Sequence, residues 1–147
     1  LLYQRLIEQG KNVVFLDGDI LREVFQIKDY TLEGRKKLAF QYSRLCKMLA
    51  DQNINVVICV IAMFDECREW NKQNIDHYFE IYLEVAMEEL IRRDQKGMYT
   101  KALKKEMSNV MGIDIAFDEP KNPNVKIDNS GVMSPTEVVD IIMDRII

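Results

Sequence analysis

Two aspartates separated by one glycine stand where a short apolar run ends. Residues 12–16 are NVVFL, Asp17, Gly18 and Asp19 follow, and Arg22 comes three positions later. Carboxylates at a strand end can hold a divalent cation through water or accept a proton from a hydroxyl. Glycine lets the chain turn and lets a ligand approach the backbone. An arginine one helical turn further on can bind an anion with its forked donors. The pattern predicts the rim of a substrate cleft; the alternative interpretation is a capping aspartate, a turn glycine and a surface ion pair.

A second stretch with chemical potential is basic. Residues 92–105 are RRDQKGMYTKALKK, and they carry six cations: Arg92, Arg93, Lys96, Lys101, Lys104 and Lys105. One interpretation is a mobile lid over residues 95–111 that closes on phosphates, excludes water and neutralises developing charge. Gly97 and Gly112 could act as its hinges. The alternative is a solvated charged face of a helix.

The elements that must position these residues alternate along the chain. Continuous apolar runs predict strands over residues 12–16, 55–62, 78–85 and 125–128. Helical spacing and capping signals predict helices over residues 1–9, 30–52, 65–75, 86–94, 95–112 and 134–147, the last beginning with a capping box of Ser134 and Glu137. This order predicts an α/β fold, a parallel sheet flanked by helices. Ligands bind at the carboxyl ends of such strands, where residues 17–19 and 62–68 would both lie.

Composition narrows the class of protein. A chain of 147 residues with 48% hydrophobic residues fits one domain with a substantial core. The net charge of −4 argues against a surface for a nucleic acid polymer, and the sequence contains neither a membrane span nor a signal peptide. Cys46, Cys59 and Cys67 have no metal-type spacing and indicate reduced thiols in a cytoplasmic protein. The only histidine, His77, predicts no catalytic triad.

Five motifs together resemble one known family. They are FLDGDILR, the arginine after YTLEG, RDQKGMYTKAL, MGIDIAFDEPKNPN and KIDNSG, and their order is that of the adenylylsulfate kinases. The resemblance runs in register from about residue 1 to the end. It implies a three-layer P-loop kinase fold and phosphorylation of the 3′-hydroxyl of adenosine 5′-phosphosulfate by ATP with Mg²⁺. It also implies small-molecule nucleotide substrates, and it leaves a homodimer open, because dimers are common in the family.

The same resemblance assigns roles to individual residues. Asp17 would lie near the attacking hydroxyl and hold Mg²⁺ through water, and Lys96 in the lid would be a second catalytic residue. The acceptor would be bound by Asp19, Arg22, Tyr30, Arg35, Phe64 and Lys101, with Tyr30 stacked on its base. The ATP side would include Arg93, Pro120 and Asn122. Phosphoryl transfer depends mostly on positioning and charge stabilisation, which such a residue set can supply.

The first departure from the family pattern is the absence of a G-x-x-x-x-G-K-[ST] motif. In these kinases its backbone N–H groups cradle the phosphates, just before the helix that residues 1–9 would complete. We therefore expect that the 147 residues are truncated at the N-terminus or lack a loop, and that this fragment alone turns over little. A degenerate kinase fold that only binds nucleotide or protein is the non-enzymatic alternative.

The second departure concerns the acceptor. Residues 38–41 are LAFQ where the family usually has Asn-Ile-Arg-Arg, and Asp65 stands where an arginine usually follows the second strand, although Arg68 is kept. These changes weaken a site for a sulfated nucleotide. The stretch FDECREWNKQN is more similar to kinases of surface-polysaccharide pathways, which include an activity on the 3′-hydroxyl of cytidine diphosphoramidate. Adenylylsulfate therefore remains the first candidate acceptor, and another nucleotide-linked acceptor such as cytidine diphosphoramidate is the alternative.

Overall fold

A computed structural model describes residues 1–94 and 96–146. The chain forms two compact units, Leu1–Tyr78 and Phe79–Ile147, and each is described by itself. A single domain over residues 1–147 stays a prediction, as does the lid over 95–111, whose first residue, Gln95, lies outside the described residues.

The first unit contains two parallel strands and four helices. The elements are α1 (Leu2–Glu8), β1 (Val13–Asp17), α2 (Gly18–Val24), α3 (Leu32–Ala50), β2 (Asn55–Cys59) and α4 (Asp65–Asn74). β1 and β2 pair in parallel from Val13 opposite Asn55 to Asp17 opposite Cys59. Both predicted strands are confirmed, although β2 ends three residues earlier than predicted. The carboxyl ends of both strands therefore lie side by side, with Asp17 at one of them.

The core of this unit forms where α2 and α3 meet the β1–β2 pair. Leu21 of α2 and Leu38 and Tyr42 of α3 are buried against one another, and four further apolar residues pack on them: Leu16, Ile27, Leu45 and Ile58. The helix predicted over residues 30–52 is thus confirmed, with Leu38 and Tyr42 on its buried face. Burial of β1 on both faces, predicted from its continuous apolar run, is only partial, because Phe15 is 44% exposed.

The second unit repeats the strand–helix alternation. Its elements are β3 (Ile81–Glu84), α5 (Met87–Arg93), α6 (Met98–Leu103), β4 (Val125–Asp128) and α7 (Pro135–Ile146). β3 and β4 pair in parallel, from Ile81 opposite Val125 to Glu84 opposite Asp128. The capping box of α7 is confirmed. The Ser134 hydroxyl donates to Glu137 Oε2 at 2.7 Å, and the Glu137 N–H donates to Ser134 Oγ at 3.3 Å.

The helix predicted over residues 95–112 is wrong beyond Leu103. α6 covers Met98–Leu103 only, and Lys105 and Asn109 have φ angles of 59° and 63°. Two left-handed residues within five positions are incompatible with a continuing right-handed helix. Of the described helices, none combines the length and the apolar character that crossing a bilayer requires.

The three cysteines are free thiols, as the sequence predicts. Cys46 and Cys67 are buried, and burial raises the pKa of the Cys46 thiol to about 11. A thiol with so high a pKa is a poor nucleophile at neutral pH. Cys46 and Cys67 therefore act as core residues.

Gly18 permits close packing between the ends of β1 and β2. A Cβ atom at this position would lie 2.8 Å from Val60 Cγ1 and 3.1 Å from the carbonyl oxygen of Cys59. Neither separation is compatible with an unmoved neighbour. The glycine between the two aspartates is required because the backbone after β1 touches the backbone after β2, which the sequence interpretation of a turn glycine did not include.

We predict that Gly18→Ala destabilises the protein by about 1–3 kcal/mol, the usual effect of overpacking. The physical cause is displacement of Val60 and of the Cys59 carbonyl group. Equilibrium unfolding in urea measures the change. The Val60→Ala substitution removes the Cγ1 contact. Adding Gly18→Ala to that variant should therefore lower the free energy of unfolding by less than Gly18→Ala lowers it in the wild-type protein. Equal losses from Gly18→Ala in both backgrounds would contradict the contact as the cause.

Candidate functional site

Asp17, at the end of β1, is the N-cap of α2. We call Asp17, Gly18 and Asp19 the acidic rim. The N–H groups of Asp19 and Ile20 donate to Asp17 Oδ1 at 2.9 and 3.2 Å, which fixes the carboxylate at the start of α2. The interpretation as a capping aspartate is therefore confirmed. Capping also sets the orientation of the carboxylate group, so it is compatible with a chemical role at the strand end. Tyr42, for which the sequence predicted no role at this site, donates its hydroxyl to the Gly18 carbonyl oxygen at 2.9 Å.

Three predicted acceptor-binding residues lie together beyond the rim. The guanidinium carbon of Arg22 lies 4.3 Å from the centroid of the Tyr30 ring, and that of Arg35 lies 5.6 Å from it. Arg22 Nη1 donates to the carbonyl oxygen of Asp29 at 2.8 Å, and Arg35 Nε donates to that of Tyr30 at 3.0 Å. Two cations thus share one aromatic ring that is 49% exposed. We call Arg22, Tyr30 and Arg35 the cation–aromatic cluster.

The loop that carries Tyr30 is fixed by Asp29. Its carboxylate accepts from the N–H and the hydroxyl of Thr31 at 3.0 and 2.6 Å, and these hydrogen bonds hold the pKa of Asp29 below its usual value. Thr31 in turn caps α3 by accepting from the Gly34 N–H at 3.1 Å. A Cβ at Gly34 would lie 2.2 Å from the Asp29 carboxyl carbon, so this position requires glycine. YTLEG therefore has a structural role, in addition to the recognition role that the sequence predicts for it.

The second strand end leads into α4. Phe64 is buried at the N-cap position, and its carbonyl oxygen accepts from the N–H groups of Cys67 and Arg68. Asp65, in the first turn, forms a direct ion pair with Arg68, whose side chain is only 9% exposed. The kept arginine is therefore partnered by the acid that the sequence analysis singled out.

In the second unit, Asp94 organises the start of α6. Its two carboxylate oxygens accept from Tyr99 N–H at 3.0 Å, Thr100 N–H at 2.9 Å and the Thr100 hydroxyl at 2.5 Å. These bonds, that of the Thr100 hydroxyl first, hold the pKa of Asp94 below its usual value. Lys96 is exposed before α6, and Lys101 is exposed in its last turn. Asp94 was not among the residues predicted from the sequence: an N-cap side chain accepts from N–H groups two or three residues further on, whereas Asp94 accepts from residues five and six positions away.

Arg93, predicted on the ATP side, connects α5 to the segment after β4. Its Nε donates to Glu89 Oε1 at 2.6 Å and its Nη2 donates to the carbonyl oxygen of Asn129 at 2.8 Å. Glu89 also accepts from Arg92 at 2.5 Å, and the two arginines, Arg92 first, lower the pKa of Glu89 to about 2. Arg93 therefore has a structural role in this unit, because it links two of its segments.

The other two residues predicted on the ATP side lie before β4. Pro120 is buried and Asn122 is exposed, both in an irregular segment. Glu119 accepts from Lys126 of β4 at 2.8 Å, and Lys126 also pairs with Glu84 of β3 at 3.0 Å. This pairing ties the segment that carries Pro120 to the strand pair.

Asp114 holds a further turn of the second unit. It accepts from the N–H groups of Asn109 and Val110, both at 2.6 Å. The aspartate of the GID motif thus has a structural role that its position in the motif alone does not reveal.

Three comparisons relate this chain to known proteins. The family model described as adenylylsulphate kinase matches residues 1–128. Cytidine diphosphoramidate kinase of Campylobacter jejuni is 42% identical over 99% of this chain and 85% of its own length, and a probable adenylyl-sulfate kinase of Pyrococcus abyssi is 30% identical over 98% and 83%. The solved structure of the Mycobacterium tuberculosis APS kinase in complex with AMPPNP and APS matches with a TM-score of 0.88 and 27% identity, over 98% of this chain and 85% of that one. This match confirms the predicted α/β kinase fold.

We predict that Asp94→Ala speeds hydrogen exchange at the amides of Tyr99 and Thr100, because both lose their acceptor. The lowered pKa means that folding favours ionised Asp94, so its contribution is present at neutral pH. It is lost as pH falls from the usual value of 3.8 through the lowered one, and the difference from wild type should shrink there. Exchange measured by NMR from pH 6 to pH 3 tests this. Asp144→Ala, at an exposed position of α7, is the control; equal exchange in the two variants would contradict the role of Asp94 as the acceptor for these amides.

Proposed function

The chain belongs to the adenylylsulphate kinase family, and from that premise we propose that it transfers a phosphoryl group from ATP to the 3′-hydroxyl of a nucleotide-linked acceptor. The observation that carries the proposal is the family match, which spans residues 1–128 and so includes both strand ends of the first unit. The APS kinase with a TM-score of 0.88 was solved with AMPPNP, which supports ATP as the phosphoryl donor.

Mg²⁺ is part of the same proposal, with Asp17 as its protein contact. No group of three or more His, Cys, Asp or Glu side chains suited to a metal occurs among residues 1–94 and 96–146. A magnesium ion that keeps its waters and binds substrate phosphates needs only one or two carboxylates, so the donor set fits a contact through water. When bound, the ion would neutralise phosphate charge.

The residues of the first unit suit the acceptor side of this reaction. Asp17 would orient the attacking hydroxyl and accept its proton, since its cap fixes the carboxylate at the strand end. Asp19 and Phe64 would complete the acceptor pocket. The cation–aromatic cluster would bind an acceptor phosphate and its base, because a guanidinium has five N–H donors and about half of Tyr30 is exposed to solvent.

The residues of the second unit suit the donor side. Lys96 and Lys101 are exposed cations near α6; we assign to Lys96 the neutralisation of charge on the transferred phosphoryl group, and Lys101 keeps its predicted role of binding the acceptor. Arg93, Pro120 and Asn122 would contribute to the ATP site, with Arg93 acting mainly through its bonds to Glu89 and Asn129.

For the acceptor, we favour cytidine diphosphoramidate. The relative that carries this name is 42% identical to the chain, against 30% for the probable adenylyl-sulfate kinase of Pyrococcus abyssi. Adenylylsulfate is the second candidate, supported by the family model and by the APS kinase structure. A homodimer and a cytoplasmic location remain part of this proposal.

Asp65 supplies a chemical reason for this preference. A sulfate group presents only acceptor oxygens, whereas a terminal phosphoramidate also presents N–H donors. A carboxylate can accept from those donors and would repel a sulfate, which is how a site discriminates two ligands of equal charge. The ion pair with Arg68 keeps the Asp65 carboxylate in place in the first turn of α4.

The test is ADP release by the full-length protein with ATP and Mg²⁺, with cytidine diphosphoramidate or adenylylsulfate as acceptor. We expect kcat/KM to be at least tenfold higher with the cytidine compound, a difference that one well-placed polar contact can produce. Higher turnover of adenylylsulfate would establish the second candidate. An absence of ADP release with both acceptors would favour the non-enzymatic alternative, a fold that only binds nucleotide or protein.

A matched variant separates Asp65 from the rest of the site. Asp65→Asn keeps the shape and can still bond Arg68, but it adds N–H donors and removes the charge. If Asp65 selects the acceptor, the ratio of kcat/KM values should shift towards adenylylsulfate. An equal change for both acceptors would show a structural effect only.

Asp17→Asn tests the proposed base. Asparagine is as good an N-cap as aspartate, so the fold should be kept while the charge is lost. We expect kcat to fall by about 10²–10⁴-fold, the usual contribution of a general base, with little change in Tm. Activity within twofold of wild type would return Asp17 to the role of a cap alone.

A further inference from the structure

Tyr42 connects the core of the first unit to the acidic rim. Its side chain is 6% exposed and packs with Leu21 and Leu38, and its ring lies 6.3 Å from that of Phe25. Its hydroxyl nevertheless donates to a specific acceptor, the Gly18 carbonyl oxygen at 2.9 Å. A phenylalanine would fill the same volume, so packing alone does not account for the hydroxyl group.

The phenol lies within electrostatic reach of the candidate acceptor site. Burial raises the pKa of Tyr42 above its usual value; the carboxylates of Asp19 and Asp17 add to the rise, and Arg22 opposes it. The hydroxyl is therefore protonated at neutral pH and acts as a donor. Those same three charged groups are the ones assigned above to the acceptor.

The helix that carries Tyr42 also carries part of the cation–aromatic cluster. Arg35 lies seven residues, or about two turns, before Tyr42 on α3, and its Nε holds the Tyr30 carbonyl oxygen. One rigid helix therefore contacts the acidic rim through Tyr42 and the cluster through Arg35. A helix with two such anchors sets the separation between them.

We infer that Tyr42 is a positioning residue, whose hydroxyl fixes the Asp17–Gly18–Asp19 segment relative to the Arg22–Tyr30–Arg35 cluster. It acts through the Gly18 carbonyl group and needs no contact with the acceptor. The kinetic part of this inference rests on the proposed phosphoryl transfer; the structural part does not.

The Tyr42→Phe variant tests it, because only the hydroxyl is removed. Loss of one such hydrogen bond should speed hydrogen exchange at the amides of Asp19 and Ile20 by about three- to tenfold. In the full-length protein kcat should fall by a similar factor, with KM for ATP unchanged. Tyr3→Phe is the matched control, since it removes a hydroxyl from α1 in the same unit.

Three outcomes decide the question. Faster exchange confined to Asp19 and Ile20, with lower kcat, supports the inference. Unchanged exchange at these amides overturns it, whether or not the wild-type protein turns over an acceptor. Uniformly faster exchange along α3 with unchanged kcat also overturns it, because that pattern describes core packing only. A wild-type protein inactive with both acceptors contradicts the proposed function, and the exchange data alone then decide the role of Tyr42.

Discussion

The close approach of the two backbones at Gly18 is the constraint on which the acidic rim depends. Parallel pairing places Asp17 opposite Cys59, and the missing side chain of Gly18 lets the chain enter α2 against the Cys59 carbonyl group. Asp17 can then cap α2 with its carboxylate at the strand end. A side chain at Gly18 would push the two strand ends apart and move both carboxylates with them. The glycine is thus explained by packing, whatever ligand the rim binds.

Helix α3 is the second determinant, because it organises the remainder of the first unit's candidate site. Its N-cap, Thr31, is held by Asp29, and the same loop presents Tyr30 to Arg22 and Arg35. Its buried face supplies the core. A network of this kind orients the arginines before a ligand arrives, which lowers the entropy lost when the acceptor binds. The fold and the recognition surface are therefore built from the same helix.

Strand and helix periodicity predicted most of the architecture, since burial patterns are local in sequence. The pattern could not predict where the basic helix ends, because Lys105 and Asn109 adopt left-handed angles for which neither residue gives a reliable signal. The motifs located Asp17, Arg22, Tyr30 and Arg35, but the partners that hold them, Tyr42 and Asp29, depend on contacts between separate elements. Asp94 could not be predicted for a different reason: its hydrogen bonds run to the N–H groups of Tyr99 and Thr100, which lie further along the chain than an N-cap side chain usually reaches.

The side chains that select the acceptor can change most easily at positions that contribute little to the packing of the fold. Asp65 lies in the first turn of α4, is partly exposed, and forms an ion pair with Arg68 in the next turn. Replacing an arginine there by an acid alters the donors and acceptors offered to a ligand while the strand pairing and the α3 core remain unaffected. Gly18 and Tyr42, by contrast, are fixed by backbone and core contacts, and Gly34 is fixed by the carboxylate of Asp29. In the function proposed above, selectivity would therefore diverge at Asp65 while the proposed catalytic residues at the end of β1 are retained.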